Sequence, residues 1–257
     1  MIFVTGDTHG IRSKESLDKF DTPSFKANAN KGNYLIITGD SGIVWSKETL
    51  KASIDFYGNL GYTILFVDGN NDNFDLLDQY PVETWHGGKV HKVSDNIIHL
   101  MRGEIFQIEG KSILAFGGAD SWDRPNGLEY GDYSPTRSEG VNWWKRERPS
   151  KAEFNHMMKN LEQHDNKVDF IITHETTSNN IRKYYYWNTP EYVNKMLDTL
   201  NDKADFRHWF FCHHHKPLYE VEPCMSIITT EIVNLDDYHK KFRSEAIKTK
   251  SPRDGRV

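Results

Sequence analysis

The chain opens with Met1-Ile2-Phe3-Val4-Thr5-Gly6-Asp7-Thr8-His9-Gly10. Apolar and β-favouring residues run directly into a turn at Gly6, which predicts a short buried strand followed by a polar turn. Asp7 and His9 are two positions apart, so near an extended backbone their side chains project to the same side. A carboxylate and an imidazole at the carboxyl end of a buried strand are half of a metal site. This pair also occurs by chance in turns, so it predicts a metal site only if later parts of the chain supply the other ligands.

Length and composition describe a globular protein and exclude several classes of function. The 257 residues are enough for a full hydrophobic core in one or two domains. A hydrophobic content of 37% with 13% aromatic residues excludes a disordered chain. The formal net charge of −5 argues against general binding to a nucleic-acid backbone, and therefore against long nucleic acids as partners.

The same composition predicts a protein of the reducing cytoplasm without a membrane span. The sequence has no run of 18 apolar residues, and its short apolar start lacks the basic region of a signal peptide. Two cysteines, Cys212 and Cys224, do not suggest a disulfide framework. The 12 histidines, several of them next to Asp, Asn or Gly, raise the expectation of metal chemistry.

The opening unit, a β-like run that ends in a polar cluster with glycine, occurs twice more. Residues 34–38 end in Gly39-Asp40, and residues 62–67 end in Asp68-Gly69-Asn70-Asn71-Asp72. A helical stripe at residues 47–60, capped by Ser46, separates the two runs. Strands separated by helices predict a parallel sheet, whose functional groups gather outside the carboxyl ends of the strands.

The second half of the chain adds further strand-like runs and a long loop. Short runs at residues 97–100, 104–108 and 112–116 predict antiparallel hairpins that could form a second sheet. A loop over residues 120–144 is rich in Gly, Pro, Asp and Trp, and long loops of this kind are usually functional or mobile. Two more runs end in His174 and in His213-His214-His215. No linker divides the chain, so we expect one domain over residues 1–237 and a basic helix or tail over residues 238–257.

The polar clusters at the strand ends contain seven candidate metal ligands: Asp7, His9, Asp40, Asn70, His174, His213 and His215. Seven ligands are too many for one zinc ion, which takes four, and suit two ions if one carboxylate bridges them. Asp40 stands alone at its strand end and is the natural bridge. By the alternation of an extended strand, His213 and His215 are expected to point to the same side, with His214 pointing away.

These clusters resemble the sequence blocks of the calcineurin-like metallophosphoesterases. The blocks of that family are D-x-H, then G-D, then G-N-H-[DE], then a lone His, then G-H-x-H. Here they follow in the same order as Asp7-Thr8-His9, Gly39-Asp40, Gly69-Asn70-Asn71-Asp72, His174 and Cys212-His213-His214-His215. The resemblance implies an α/β fold, a four-layer α/β/β/α sandwich with two central mixed sheets.

The resemblance also implies a dinuclear metal site and a hydrolytic reaction. One divalent ion would be held by Asp7, His9 and His215. The other would be held by Asn70, His174 and His213, with Asp40 as the bridge. Mn²⁺ is the expected ion, with Fe, Zn or Ni as alternatives. A hydroxide that bridges the ions would attack the phosphorus of a phosphomonoester, a phosphodiester or a nucleotide.

Asn71 stands where the family has a histidine that contacts phosphate and is the usual candidate to protonate the leaving group. Asparagine can hydrogen-bond a phosphate but cannot act as an acid. Three explanations are open: a substrate with a good leaving group, a proton from His214 or Glu175, or a substituted position with impaired activity. The other departure is Cys212 in place of the family's glycine, which we expect to be a small buried residue.

The sequence therefore predicts a metal-dependent phosphoesterase, either a phosphatase or a phosphodiesterase, that acts on a small phosphorylated substrate such as a nucleotide. The candidate catalytic residues are Asn71, Asp72 and His214, of which Asp72 is expected to orient a neighbouring ligand. The candidate substrate-binding residues are Asn71, Arg102 and Arg124. The alternative is a phosphoesterase-fold protein that binds a nucleotide or a protein without turnover. Asn71 and Cys212 support that alternative, whereas the full set of seven ligands argues against it.

Overall fold

A computed structural model describes residues 1–12, 17–121, 137–184 and 192–238 of the chain. Its strands are β1 (Ile2–Thr5), β2 (Tyr34–Ile37), β3 (Thr63–Phe66), β4 (Val82–Trp85), β5 (Gly88–Ser94), β6 (Ile97–Leu100), β7 (Glu104–Ile108), β8 (Lys111–Phe116), β9 (Lys167–Thr173), β10 (Asp205–Phe211), β11 (Tyr219–Glu222), β12 (Met225–Ile227) and β13 (Val233–Asn234). Its α-helices are α1 (Pro23–Ala27), α2 (Lys47–Gly58), α3 (Phe74–Leu77), α4 (Lys151–Gln163), α5 (Ser178–Tyr184) and α6 (Tyr192–Lys203). Short 3-10 helices span Gly10–Arg12, Asp18–Asp21 and Lys145–Glu147.

The strands form two mixed sheets. The first sheet has the strand order β13-β1-β2-β3-β6-β5-β4, and the second has the order β11-β12-β10-β9-β8-β7. Strands β1, β2, β3 and β6 pair in parallel in the first sheet, and β8, β9, β10 and β12 pair in parallel in the second. The carboxyl ends of parallel strands lie at one edge of their sheet, and the predicted ligands follow β1, β2, β3, β9 and β10 at those edges.

Apolar side chains fill three layers around the two sheets. Ile36 of the first sheet packs between the sheets against residues of the second, among them Phe106 and Phe210. The outer face of the first sheet is covered by α2, whose Tyr57 is fully buried. The outer face of the second sheet is covered by α4 and α6, where Leu197 is fully buried. The secondary-structure elements, separated by these apolar layers, therefore stack in the order helix, sheet, sheet and helix, which confirms the predicted four-layer α/β/β/α sandwich.

The helices that flank the site begin where local sequence signals place them. Helix α2 starts after Ser46, whose hydroxyl accepts a hydrogen bond from Thr49 N at 3.3 Å. Helix α4 starts after Ser150, which forms a reciprocal capping box with Glu153. Each cap satisfies backbone N–H groups that have no partner inside the helix, so the helix start is fixed by sequence alone.

The region between β3 and β7 differs from the prediction. Strands β4 and β5 form a hairpin through His86 and Gly87, which have φ of 47° and 94°. Two consecutive positive φ values are typical of a two-residue hairpin turn, for which Asn-Gly is the usual signal and His-Gly a weak one. Strand β6 does form an antiparallel hairpin, with β5, but it lies in the first sheet, where its other neighbour β3 is parallel to it. Only β7 and β8 form a predicted hairpin in the second sheet.

The long predicted loop is described only at its two ends. Residues 122–136 lie outside the described residues, as does the tail over residues 239–257. At the far end of the loop, Trp143 and Trp144 are buried, and Trp144 Nε1 donates to Asp75 Oδ2 at 2.9 Å. In the part of the chain that the structure describes, no helix is long and apolar enough to span a bilayer.

Candidate metal centre

The turns after the strands hold several predicted ligands in the left-handed backbone region. Positive φ values between 44° and 69° occur at Asp7, His9, Asp40, His213 and His215. This conformation costs a non-glycine residue about 1–2 kcal/mol and is concentrated at functional sites. The alternation of an extended strand therefore does not orient these side chains, because they lie in turns beyond the strand ends.

Glycines let these turns approach one another closely. A Cβ added at Gly39, where φ is 112°, would lie 2.2 Å from His174 Nδ1. A Cβ added at Gly69 would lie 2.0 Å from Asp40 Oδ1. Both distances are far shorter than any real contact, so the Gly-Asp and Gly-Asn blocks need glycine for the packing of the ligands themselves.

Asp7, His9 and His215 form a first ligand group. One donor atom of each lies within 4.8 Å of the other two. His215 Nε2 is 3.2 Å from His9 Nε2 and 3.9 Å from Asp7 Oδ1. Asp7 is only 2% exposed, and no group in the described ranges hydrogen-bonds to either of its carboxylate oxygens. Burying an unsatisfied carboxylate is costly, so the arrangement favours a cation at this place.

Asp40, Asn70 and His174 form a second ligand group beside the first. His174 Nε2 is 3.0 Å from Asn70 Oδ1 and 3.5 Å from Asp40 Oδ1, and all three residues are buried. Donor atoms of Asp7, His174 and Cys212 also lie within 4.8 Å of one another. The two groups are therefore parts of one continuous cluster.

His213 lies beside the second ligand group but faces a different partner. Its ring centroid is 4.8 Å from that of His174, and its Nε2 is 3.7 Å from Glu175 Oε2. His214 Nε2 contacts Glu175 Oε1 at 2.8 Å, so it points to the same carboxylate as His213 and not away from it. Burial alone would raise the pKa of Glu175, but His214 and His213 lower it to about 2. Glu175 is therefore ionised at neutral pH, which removes it as the source of a proton.

Asn71 is bound to the predicted bridging carboxylate. Its backbone N and its Nδ2 donate to Asp40 Oδ1 and Oδ2, at 2.8 and 2.7 Å. Burial raises the pKa of Asp40, but His174, His9 and these hydrogen bonds outweigh burial and hold the pKa below its usual range. The Oδ1 atom of Asn71 accepts a hydrogen bond from Arg137 Nη1 at 3.2 Å. Asn71 therefore links an ionised Asp40 to a guanidinium.

Two other residues that the sequence analysis singled out, Asp72 and Cys212, are buried next to the ligand cluster. Asp72 is fully buried, and its Oδ2 accepts a hydrogen bond from Gly69 N at 2.7 Å. Burial and the Asp40 carboxylate raise the pKa of Asp72 to about 8. Cys212 is also fully buried, and its Sγ donates to Thr38 O at 2.9 Å. Burial and Asp7 raise the pKa of the Cys212 thiol to about 11, so it is a neutral thiol at physiological pH.

The predicted substrate-binding arginines are not brought to the cluster by the described structure. Arg102 is buried, and its Nε donates to Asp68 Oδ2 at 2.9 Å while its Nη2 donates to Arg146 O at 2.9 Å. These contacts make Arg102 part of an internal ion pair. Arg124 lies outside the described residues.

Sequence reasoning missed a group that supports the first turn. The buried Tyr57 hydroxyl lies 2.7 Å from Thr8 Oγ1 and 3.0 Å from Ser41 O. Lys19 Nζ donates to Gly6 O at 2.9 Å, beneath the Asp7 carboxylate. Both contacts join residues distant in sequence, and neither residue type stands at a characteristic spacing. No signal in the sequence would have identified them.

The donor set fits divalent metal ions. Carboxylate, imidazole and amide oxygen donors are ligands that Mn²⁺, Fe, Zn²⁺ and Ni²⁺ accept. The unsatisfied carboxylate of Asp7 has oxygen atoms within 4.8 Å of donor atoms of both His215 and His174, where bound cations would compensate its charge. The described residues therefore suit the kind of cofactor that the sequence predicts.

Comparison with known proteins gives a family and a distant structural likeness. A sequence profile of the calcineurin-like phosphoesterase family matches residues 1–217. No curated protein matches the sequence. Among solved structures, the chain is similar to the crystal structure of phosphopantetheinyl hydrolase (PptH) from Mycobacterium tuberculosis. That match has 12% identity and a TM-score of 0.49, and covers 98% of this chain and 93% of the other. The profile match spans every predicted ligand block, and the chain belongs to the calcineurin-like phosphoesterase family.

Proposed function

We propose that this protein is a dinuclear metal-dependent phosphoesterase. The observation that carries the proposal is the buried Asp7 carboxylate, which finds no hydrogen-bond donor among the described residues and has His215 and His174 beside it. A buried ionised carboxylate is tolerated when it binds a cation or an ion-pair partner. Membership of a metallophosphoesterase family supports the same conclusion.

The proposed ligands are the members of the two groups together with His213. One ion is assigned to Asp7, His9 and His215. The other is assigned to Asn70, His174 and His213, with Asp40 shared between the ions. Bound divalent cations would supply positive charge for a phosphate anion and lower the pKa of a nucleophilic water. Mn²⁺ is the proposed ion, and Fe, Zn and Ni are the alternatives to compare with it.

The remaining residues have positioning and charge-stabilising roles in this proposal. Asn71 holds both oxygens of Asp40 by hydrogen bonds, which fixes the carboxylate that the two ions share. Arg137, bound to Asn71, presents a guanidinium beside the cluster. A guanidinium at this place can hydrogen-bond the non-bridging oxygens of a phosphate and stabilise their charge during the reaction.

We infer a substrate with a good leaving group. Asn71 has no proton to give as an acid, Glu175 is ionised at neutral pH, and the Nε2 of His214, the other predicted donor, is held by the Glu175 carboxylate. Aryl phosphates, aryl phosphodiesters and nucleotides with a phosphoanhydride bond are therefore proposed as better substrates than alkyl monoesters, which include nucleoside monophosphates. The proposed cellular setting is the reducing cytoplasm, because the two cysteines of the sequence do not suggest a disulfide framework.

Hydrolysis of a phosphoester panel by metal-free protein, with and without added Mn²⁺, tests the proposal. The panel contains p-nitrophenyl phosphate, bis(p-nitrophenyl) phosphate, glycerol phosphate and nucleotides. Activity should appear with Mn²⁺ and be lost in Asp7→Asn, which keeps the size of the side chain and removes its charge. Hydrolysis that persists in metal-free protein would contradict a metal-dependent reaction.

The alternative is a binding module that uses the same fold without turnover. The observation in its favour is that both ends of the Asn71 side chain are occupied, one by Asp40 and one by Arg137. Metal analysis separates the two functions. Less than one ion per chain, together with no hydrolysis across the panel, would favour the binding module.

A further inference from the structure

The amide of Asn70 has two ends, and only its oxygen can bind a metal ion. Its Nδ2 donates to Ser121 Oγ at 3.0 Å, while its Oδ1 faces His174 Nε2 at 3.0 Å. Asn70 is buried, so water does not compete freely for either end. The contact with Ser121 therefore decides which end of the amide is turned towards the second ligand group.

Ser121 can accept this hydrogen bond because its own proton is used elsewhere. Its Oγ donates to Glu147 Oε2 at 2.5 Å, and its backbone N donates to Glu147 Oε1 at 2.8 Å. Both residues are buried, at 1% and 0% exposure. Above about pH 7 Glu147 is ionised and its carboxylate can only accept hydrogen bonds, so Glu147 then sets the direction of the whole chain of donors.

We propose that Ser121 and Glu147 are positioning residues that hold the Asn70 oxygen towards the second metal ion. The inference rests on the proposed function, because it takes Asn70 as a metal ligand. Partners that orient a ligand in this way are typically worth 10–100-fold in metal affinity. Ser121 lies at the start of the long loop, Glu147 follows its end, and both belong to none of the sequence blocks that carry the ligands.

Calorimetric titration of the metal-free protein with Mn²⁺ tests the inference. The unmodified protein should show two binding events, which Asn70→Ala and His9→Ala assign to the two ligand groups. Ser121→Ala should weaken the event that Asn70→Ala removes by about 10–100-fold and leave the other unchanged. Ser121→Thr keeps the hydroxyl and should retain most of the affinity.

Glu147→Gln separates orientation from packing, because the two side chains have nearly the same shape. A glutamine Nε2 can donate to Ser121 Oγ, which frees the serine proton to point at Asn70. The amide of Asn70 would then turn over and present its nitrogen, which is not a ligand. We expect the same binding event to weaken, although no volume is lost.

Ser226→Ala is the matched control. Ser226 is also fully buried, and its hydroxyl is bonded to His208 away from the cluster. Its loss should lower stability and leave both Mn²⁺ affinities unchanged. A metal-free readout is the side-chain amide signal of Asn70 in ¹⁵N NMR, which should shift in Ser121→Ala and remain in place in Ser226→Ala.

Two outcomes would overturn the inference in distinguishable ways. If Ser121→Ala and Glu147→Gln bind both ions as the unmodified protein does, the positioning role is wrong and the metal site stands. If the unmodified protein shows no event that Asn70→Ala removes, Asn70 is not a ligand. In that case the proposed metal site and the inference fail together.

Discussion

Asn71→His is the substitution that most clearly tests the role of the missing acid. It restores the histidine that the family places at this position and leaves the proposed metal ligands unchanged. The new imidazole would be a general acid beside the substrate, which typically contributes 10²–10⁴-fold to a step with a poor leaving group. Hydrolysis of an alkyl monoester depends on that proton, whereas an aryl ester with a stable leaving group needs it far less.

The same substitution also removes a hydrogen bond to Asp40, which is expected to lower the rate. The Nδ2 of Asn71 donates to Asp40 Oδ2 at 2.7 Å, and this bond is lost, while the backbone bond to Oδ1 is kept. A hydrogen bond to a charged group contributes about 1.5–3 kcal/mol. At about 1.4 kcal/mol for each tenfold, its loss lowers the rate by roughly 10–100-fold. The loss of rate should be equal for every substrate, because Asp40 belongs to the proposed metal site at which all of them would react.

The ratio of kcat/KM for an alkyl monoester to that for p-nitrophenyl phosphate cancels this common cost. We expect the ratio to rise by about 10²–10⁴-fold in Asn71→His. Asn71→Ala loses the same hydrogen bond without gaining an acid, so both rates should fall and the ratio should stay constant. An unchanged ratio in Asn71→His would refute the reasoning that leaving-group protonation is what this site lacks.

Three further predictions concern stability and metal affinity. Burial raises the pKa of Glu147 from 4.5 to about 7, so the folded protein binds this proton more tightly than the unfolded chain does. This proton therefore stabilises the folded protein by about 3 kcal/mol below about pH 4.5, and the contribution is lost as the pH rises through about 7. In urea unfolding, the free energy of unfolding should fall between about pH 5 and about pH 8, and this fall should be absent in Glu147→Gln. Gly39→Ala should cost roughly 2–5 kcal/mol in thermal unfolding, because its Cβ would strike the His174 ring from a left-handed backbone; a cost within about 0.5 kcal/mol would contradict the close packing. His215→Ala should change unfolding by less than about 0.5 kcal/mol, since the side chain is 63% exposed, yet weaken Mn²⁺ binding strongly in calorimetry. Unchanged Mn²⁺ affinity would remove His215 from the ligand set.

Much of the architecture was accessible from the sequence because local signals agreed with the fold. Strands β1, β2 and β3 are apolar runs that end in glycine-containing polar clusters, and helices α2 and α4 carry their own caps. The β4-β5 hairpin was not accessible, because its His86-Gly87 turn has a weak signal. Strand β6 forms an antiparallel hairpin with β5, but its parallel pairing with β3 joins parts of the chain that spacing alone does not connect.

The sequence predicts which side chains lie close together at the candidate site, but not how they are oriented. The predicted ligands are brought to one cluster because the parallel strands of both sheets end at it. Their orientation comes from left-handed turns, which spacing along a strand does not reveal. The contacts of Arg102 with Asp68, and of Ser121 with Glu147, join distant parts of the chain and depend on how the loops return. Such contacts can be identified only once the fold is known.

Anomalous diffraction from crystals of the protein loaded with Mn²⁺ tests the central claim most directly. Two peaks per chain are predicted, one contacting Asp7, His9 and His215. The second should contact Asn70 Oδ1, His174 and His213, with Asp40 reaching both ions. His213 would then have turned from Glu175, which lies 3.7 Å from its Nε2 in the present structure. No peak near Asp7, or a single peak with His213 still facing Glu175, would contradict a dinuclear site.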